Sequence, residues 1–369
     1  MSSSPNQYRF ILSGGGTGGH IYPAIAIAQE LQRQFPNCEL LFVGAEDKME
    51  MRLVPEAGYS IKGLPIVGFN RTQWLANIFL PFKIWKSLSK SKKILQKFNP
   101  HAVIGTGGFA SGPLLRKAQK MGIPTFIQEQ NAFAGVTNKL LAQKAIRIFT
   151  AFERMEKWFP AEKIQLTGNP VRKLNQIKLS QAEAKEQLGF DAQEPLVFVT
   201  GGSLGAVVIN RAIGPSTPTF ERNKVQLLWQ CGRNNYKHLK GTFGEAGRNW
   251  KLEPFVSRMD LAFLAADLVV SRAGASTISE LALMGKPAIL IPSPNVAEDH
   301  QTFNAKAVEK AGGALFLSDE EVAEDLAKLI FNTVKNQPLL AQLAKGMLNF
   351  GKPSAAEEIV QAIKNYLPQ

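Results

Sequence analysis

Four times along this chain a short apolar run ends in a glycine-rich turn and passes directly into a segment of helical period. Ser13-Gly-Gly-Gly-Thr-Gly-Gly-His20 follows the run Tyr8–Leu12, and Gly105-Thr-Gly-Gly-Phe-Ala-Ser-Gly-Pro113 follows Ala102–Gly105. Gly201-Gly-Ser-Leu-Gly-Ala206 follows Leu196–Thr200, and Ser271-Arg-Ala-Gly-Ala-Ser-Thr-Ile-Ser-Glu280 follows Leu268–Ser271. Similar runs occur at Glu39–Val43, Thr125–Gln128, Ile146–Thr150, Leu227–Cys231 and Ala288–Ile291. Apolar character without alternation predicts strands covered on both faces, hence parallel sheets with flanking helices. After the first turn, Ile21, Ala24, Ala28, Leu31 and Phe35 recur at spacings of three and four, one helix face, with Pro23 expected in its first turn.

A chain of 369 residues is long enough for two such domains at roughly 100–200 residues each. The turn-rich Leu166-Thr-Gly-Asn-Pro-Val-Arg172 marks the boundary, and the pattern restarts at Leu196. The predicted division is 1–165, 166–345 and a last segment, 346–369, whose apolar-periodic part Ala355–Tyr366 reads as a helix of either domain. Lys and Arg outnumber Asp and Glu by 43 to 30, a net charge of +13, so an anionic partner is expected: nucleic acid, an acidic membrane or a phosphorylated substrate. Cys38 and Cys231 stand far apart with no C-x-x-C pair, which suggests lone thiols in a reducing compartment. No secretory signal and no run of about 18 apolar residues is present, so the expectation is a cytosolic protein with room for peripheral membrane attachment.

Glycines let backbone approach a ligand closely, and a helix N-terminus adds unpaired N–H groups and a positive dipole end suited to phosphate. Gly14-x-Gly16-x-x-Gly19 also matches a dinucleotide fingerprint, which keeps a nicotinamide oxidoreductase open, whereas His20 in place of Lys excludes a P-loop. Any one turn is explained as a tight connection. Four at the carboxyl ends of strands predict a cleft between two α/β domains that holds more than one phosphate-bearing ligand. Glu280, early in the helix after the fourth turn, is placed to accept from ribose hydroxyls; its plainer role is to stabilise the helix dipole. No Asp-x-Asp occurs and the four histidines lack paired ligand spacing, so no metal is expected. A leaving diphosphate is then met by helix ends, worth about 0.3–1 kcal/mol each when exposed, and by Arg172. His20, expected neutral at a helix N-terminus, is a candidate base for a sugar hydroxyl, or else holds the loop or a phosphate. Glu129 in Gln128-Glu-Gln-Asn131 is the second candidate base.

Residues 71–97 carry seven basic side chains (Arg71, Lys83, Lys86, Lys90, Lys92, Lys93 and Lys97) and no acid. Trp74, Leu75, Ile78, Phe79, Leu80, Phe82, Ile84, Trp85 and Leu88 are interleaved. Lysines beside an anionic bilayer contribute about 1 kcal/mol each, so this segment is expected to dock on a membrane surface. The alternative is an ordinary amphipathic helix with its aromatics in the core. Nucleic acid is not expected, since the basic residues sit beside bulky aliphatics rather than along a groove.

Taken in order, Gly14-Gly-Gly-Thr-Gly-Gly-His20, Gly105-Thr-Gly-Gly-Phe109, Gln128-Glu-Gln-Asn131, Gly168-Asn-Pro-Val-Arg172, Gly201-Gly-Ser203 and Arg272-Ala-Gly-Ala-Ser-Thr-Ile-Ser-Glu280 resemble the motifs of the MurG family. These are the peptidoglycan N-acetylglucosaminyltransferases that convert lipid I into lipid II, and the likeness runs from about Tyr8 to the C-terminal helix. The resemblance implies a GT-B fold, two Rossmann-like domains with parallel sheets facing across a cleft, the last helix packing back on the N-terminal domain. It implies UDP-N-acetylglucosamine as donor, an undecaprenyl-diphospho-muramoyl peptide as acceptor, no cofactor, and a peripheral place at the cytoplasmic face of the inner membrane among other cell-wall synthesis and division proteins. Family donor contacts carry over to Thr17, Gly18, Gly19, Asn131, Arg172, Ser203, Val256 (backbone, to uracil), Ala275, Ser276, Thr277, Ile278, Ser279, Glu280 and Gln301. The acceptor diphosphate falls to Gly15, Gly16, Thr106, Gly107 and Gly108, and His20 matches the family's proposed base. Membrane docking falls to Trp74, Leu75, Ile78, Phe79, Phe82, Lys83, Trp85 and Lys86. The chain departs from the family pattern at Leu204, where many members carry Gln, and in the acidic Ala297-Glu-Asp299. The expected reaction is an inverting, metal-independent transfer. A glycosyltransferase for another lipid acceptor, an oxidoreductase and a non-catalytic nucleotide-binding membrane adaptor are the rivals.

Overall fold

The computed structural model describes residues 7–68, 78, 80–171, 178–202 and 204–368. Chain contacts divide it into two units, Met1–Arg172 with Pro353–Gln369, and Lys173–Lys352.

In the first unit the strands are β1 (Arg9–Gly14), β2 (Glu39–Ala45), β3 (Ile61–Leu64), β4 (Ala102–Gly107), β5 (Thr125–Glu129), β6 (Arg147–Thr150) and β7 (Ile164–Leu166). They form one sheet in the order β3-β2-β1-β4-β5-β6-β7, paired parallel throughout. Side chains alternate faces along a strand, so Ile11 enters one core with Leu41, Val103 and Ile127, while Phe10 and Leu12 enter the other with Ile21, Ile27 and Phe126. Both faces are covered, which is why the sequence runs do not alternate. The register of β1 on β4 holds from Phe10↔Ala102 to Ser13↔Gly105 and then slips, pairing Gly14 with Gly107 where the two glycine turns begin.

The helices of this unit are α1 (Gly18–Gln34), α2 (Glu50–Glu56), α3 (Leu80–Phe98), α4 (Ser111–Lys120) and α5 (Val136–Ala142). α1 begins at Gly18, so Pro23 lies in its second turn rather than its first, and it removes the N–H that the Gly19 carbonyl would accept.

The second unit repeats the plan. Its strands β8 (Leu196–Thr200), β9 (Gln226–Gln230), β10 (Trp250–Glu253), β11 (Leu268–Arg272), β12 (Ala288–Ile291) and β13 (Ala314–Phe316) form a parallel sheet in the order β10-β9-β8-β11-β12-β13. Val197 and Val199 fill one core and Leu196 and Phe198 the other. Nine helices accompany it among the described residues: α6 (Gln181–Gln187), α7 (Val207–Ile213), α8 (Thr217–Arg222), α9 (Arg233–Phe243), α10 (Met259–Ala265), α11 (Ala275–Leu283), α12 (His300–Lys310), α13 (Val322–Val334) and α14 (Gln337–Phe350). The last helix, α15 (Ala355–Lys364), packs on α1 in the first unit, with Ile359, Val360 and Ile363 in the core that holds Ile21 and Ile27.

Candidate active site

The first two glycine turns meet backbone to backbone. Gly108 has φ +81, and a Cβ there would stand 2.3 Å from the Gly15 carbonyl oxygen. Thr106, buried between the turns, donates from Oγ1 to the His20 carbonyl at 2.7 Å. His20 Nδ1 lies 3.0 Å from Gly15 O and 3.3 Å from Thr17 Oγ1. A carbonyl oxygen only accepts, so Nδ1 carries a ring proton, and Nε2 is the nitrogen that can act as a base. An ideal Cβ on Gly107 would stand 3.1 Å from Nε2, so that nitrogen faces the second turn. Gly15, Gly16, Thr17, Gly18, Gly19, Thr106, Gly107 and Gly108 are thus gathered around His20.

Glu129, the second candidate base, is held by backbone N–H groups and side-chain amides. It is 2% exposed, and both carboxylate oxygens are engaged. Oε1 accepts from Asn131 N at 3.1 Å and Asn131 Nδ2 at 3.3 Å, while Oε2 accepts from Gly135 N at 3.0 Å and Asn138 Nδ2 at 2.8 Å. Four donors tie the carboxylate to the segment 131–138, so Glu129 anchors that segment, and it remains the second candidate base after His20. Gln130 ties the same loop to the second turn, donating to Thr106 O at 2.6 Å.

In the second unit the sequence reading missed Gln230. Buried at the end of β9, it donates from Nε2 to Thr200 Oγ1 at 2.9 Å and to Gly202 O at 3.1 Å. Its Oε1 accepts from Val256 N at 2.8 Å, which fixes the backbone at the start of the segment after β10. No pattern in the sequence marks such a residue. α11 starts behind Gly274, whose backbone is extended, and no side-chain bond caps it. Ser276 Oγ is buried without a hydrogen-bond partner among the described residues, and Ser279 Oγ donates back to Ala275 O at 2.8 Å. Ala275 and Ile278 turn their side chains into the core, so they offer a ligand only backbone; Thr277 is half-buried and Glu280 buried. Gln301, second in α12, accepts from Ser293 N through Oε1 at 2.9 Å, directing its Nε2 elsewhere. Leu204 is 75% exposed. Arg172 and Ser203 lie outside the described residues. Burial pushes the Cys231 thiol up to about 11, marking a packed apolar group rather than a nucleophile. Among the described residues no group of three or more His, Cys, Asp or Glu is placed to hold a metal ion.

The start of α3 does not put its aromatics in the core. Phe82 and Trp85 are 61% and 65% exposed and stack with ring centroids 6.0 Å apart, and Ile78 and Ile84 are exposed beside them. Ser87, Ser91, Ile94 and Leu95 form the inward face. Lys86 is exposed and Lys83 half-buried, whereas Lys90 pairs with Glu46 at 2.7 Å. Trp74, Leu75 and Phe79 lie outside the described residues. No described helix is long and apolar enough to cross a membrane.

Two Rossmann-like units, each with glycine turns at the carboxyl ends of a parallel sheet, have the GT-B fold, and the family matches make the class a glycosyltransferase. Residues 10–150 match the glycosyltransferase family 28 N-terminal domain and residues 196–359 the glycosyltransferase family 28 C-terminal domain. The chain is 49% identical to a protein of Flavobacterium psychrophilum named UDP-N-acetylglucosamine--N-acetylmuramyl-(pentapeptide) pyrophosphoryl-undecaprenol N-acetylglucosamine transferase, over 97% of each chain. It is 48% identical to the protein of the same name from Parabacteroides distasonis, over 97% of this chain and 98% of that one. Among solved structures it is similar to Acinetobacter baumannii MurG, with a TM-score of 0.78, 29% identity and coverage of 97% and 99%. The chain belongs to the MurG family, which sets the oxidoreductase and adaptor readings aside.

Proposed function

We propose that this chain transfers N-acetylglucosamine from UDP-N-acetylglucosamine to an undecaprenyl-diphospho-N-acetylmuramoyl peptide, with inversion at the anomeric carbon and no divalent ion. The observation that carries the mechanism is the Nδ1 bond of His20 to Gly15 O, which presents Nε2 as a base beside two phosphate-type turns. The acceptor hydroxyl gives its proton to Nε2 as its oxygen bonds to the anomeric carbon. The bond from that carbon to the β-phosphate oxygen breaks, and UDP leaves with the electron pair. One in-line displacement inverts the centre.

In this reading residues 1–165 bind the acceptor, whose diphosphate lies against Gly15, Gly16, Thr106, Gly107 and Gly108. Residues 166–345 hold the donor, and the helix of 346–369 returns to the N-terminal domain. The α11 amide groups, Ser203 and Arg172 meet the diphosphate, Glu280 the ribose, the Val256 carbonyl the uracil and Gln301 the sugar. Thr17, Gly18, Gly19 and Asn131 complete the donor site. Helix N-termini stabilise anions, by up to about 2 kcal/mol when partly buried. The exposed Ile78, Phe82, Trp85 and Lys86, with Trp74, Leu75, Phe79 and Lys83, dock the protein peripherally on the anionic cytoplasmic face of the inner membrane.

The test is transfer of labelled N-acetylglucosamine to a lipid I analogue with EDTA present. Product should form, and His20→Ala should lower kcat by roughly 10²–10⁴. Strict dependence on magnesium overturns the metal-free mechanism, and a loss below about tenfold overturns the base assignment.

A further inference from the structure

We infer that Glu50 is a positioning residue for His20, acting through the peptide unit between Gly15 and Gly16; the inference rests on His20 as the base. Glu50 opens α2 and is fully buried. Its Oε1 accepts from Ala45 N at 2.9 Å and its Oε2 from Gly16 N at 3.0 Å, so each oxygen faces a backbone donor. The other end of the same peptide, the Gly15 carbonyl, is the acceptor of His20 Nδ1 at 3.0 Å. One planar amide therefore joins a buried carboxylate to an imidazole, and planarity means that fixing its N–H fixes its C=O. The negative charge polarises the amide and strengthens its carbonyl as an acceptor. The proton is held on Nδ1, and the imidazolium that forms when Nε2 takes the acceptor's proton is stabilised.

Space for this arrangement is built into the backbone. A Cβ on Gly15 would stand 2.1 Å from Glu50 Oε1, and one on Gly44 would stand 2.4 Å from Glu50 Cγ. The two turns that flank His20, residues 13–19 and 105–113, contain no charged residue. Glu129, the last residue of β5, is bound to Asn131, Gly135 and Asn138. Among the described residues Glu50 on α2 is the acid joined to the ring through the Gly15–Gly16 peptide, and Glu129, reached through Asn138, is a second acidic group near the turns.

The experiment measures kcat, both KM values and the pH profile of kcat/KM for the full chain with UDP-N-acetylglucosamine and a lipid I analogue. Glu50→Gln keeps the shape and removes the charge. It should lower kcat about tenfold with donor KM within about twofold, and move the acidic limb to lower pH by about half a unit or more, because the ring loses a stabilising anion. In a His20→Ala background the same substitution should cost nothing further. Glu50→Asp keeps the charge at shorter reach; it should lose kcat in the wild-type background, lose nothing in the His20→Ala background, and keep the limb in place. It carries the test alone if Glu50→Gln shows no cooperative melting. An unmoved limb in Glu50→Gln, or an equal loss with and without His20 in either variant, overturns the inference. Failure of the base reading shows separately, as a His20→Ala enzyme that loses less than about tenfold in kcat.

Discussion

Lys286 shows how strongly a single buried cation binds the second unit to pH. It is 9% exposed, and its Nζ donates to the carbonyls of Leu264 at 2.7 Å and Ala266 at 2.9 Å, closing the end of α10. Burial lowers its pKa to about 8; the nearby Lys185 adds to the effect and Asp267 opposes it. An unfolded lysine titrates near about 10.4, so between pH 8 and that value the unfolded chain binds the proton that the folded chain releases. Stability from this group therefore rises with pH across that window. Relative to Lys286→Met, wild type should gain roughly 2 kcal/mol of unfolding free energy between pH 7 and pH 10 in urea titrations; a constant difference refutes it. The glycine turns were legible in the sequence because the backbone's need for space is written as glycine. Glu50 and Gln230 were not, because each acts on backbone N–H groups brought near only by the fold, 34 residues away for Gly16 and 26 for Val256.

At the scale of elements, the nine predicted strands are the interior strands of the two sheets. The four that went unread, β3, β7, β10 and β13, are the four edges. Ile61-Lys-Gly-Leu64 and Trp250-Lys-Leu-Glu253 mix exposed Lys62 and half-buried Lys251 and Glu253 into short segments, because an edge strand has one neighbour and thinner cover, so the continuous apolar signature fades. The amphipathic helix weighed as the alternative for residues 71–97 is present as α3, but the spacing could not say which side faces the core. The fold turns two serines, an isoleucine and a leucine inward and leaves the aromatics outside. Removing exposed rings should leave the fold intact while weakening membrane binding. The double variant Phe82→Ser/Trp85→Ser should lose at least tenfold in partitioning to anionic vesicles, since burying each ring is worth up to about 1.5–3 kcal/mol. Its melting temperature should stay within about 2 °C of wild type, as exposed sites away from packing contribute little. Unchanged vesicle sedimentation would remove the docking role from this end of α3.

Over the whole molecule, chain order and spatial membership part company at the last helix. The period of residues 355–366 announces an amphipathic helix, yet nothing in it names the partner, which lies more than three hundred residues earlier on α1. The fold supplies the partner: Ile359, Val360 and Ile363, all fully buried, complete the core around Ile21, Ile27 and Phe126, and Tyr8 Oη donates to Pro368 O at 3.0 Å. Three such side chains are worth roughly 4.5–9 kcal/mol against a typical domain stability of about 5–15 kcal/mol. Truncation after Lys352 should therefore unfold the first unit selectively. Limited proteolysis should cut within residues 7–171 at rates at least about tenfold above those of the full chain, while residues 178–352, which keep their own two cores, remain protected. If both units resist protease equally after truncation, α15 is a passenger on α1. If both are cut together, the two units unfold as one, and the stability of the second depends on the core that the last helix completes.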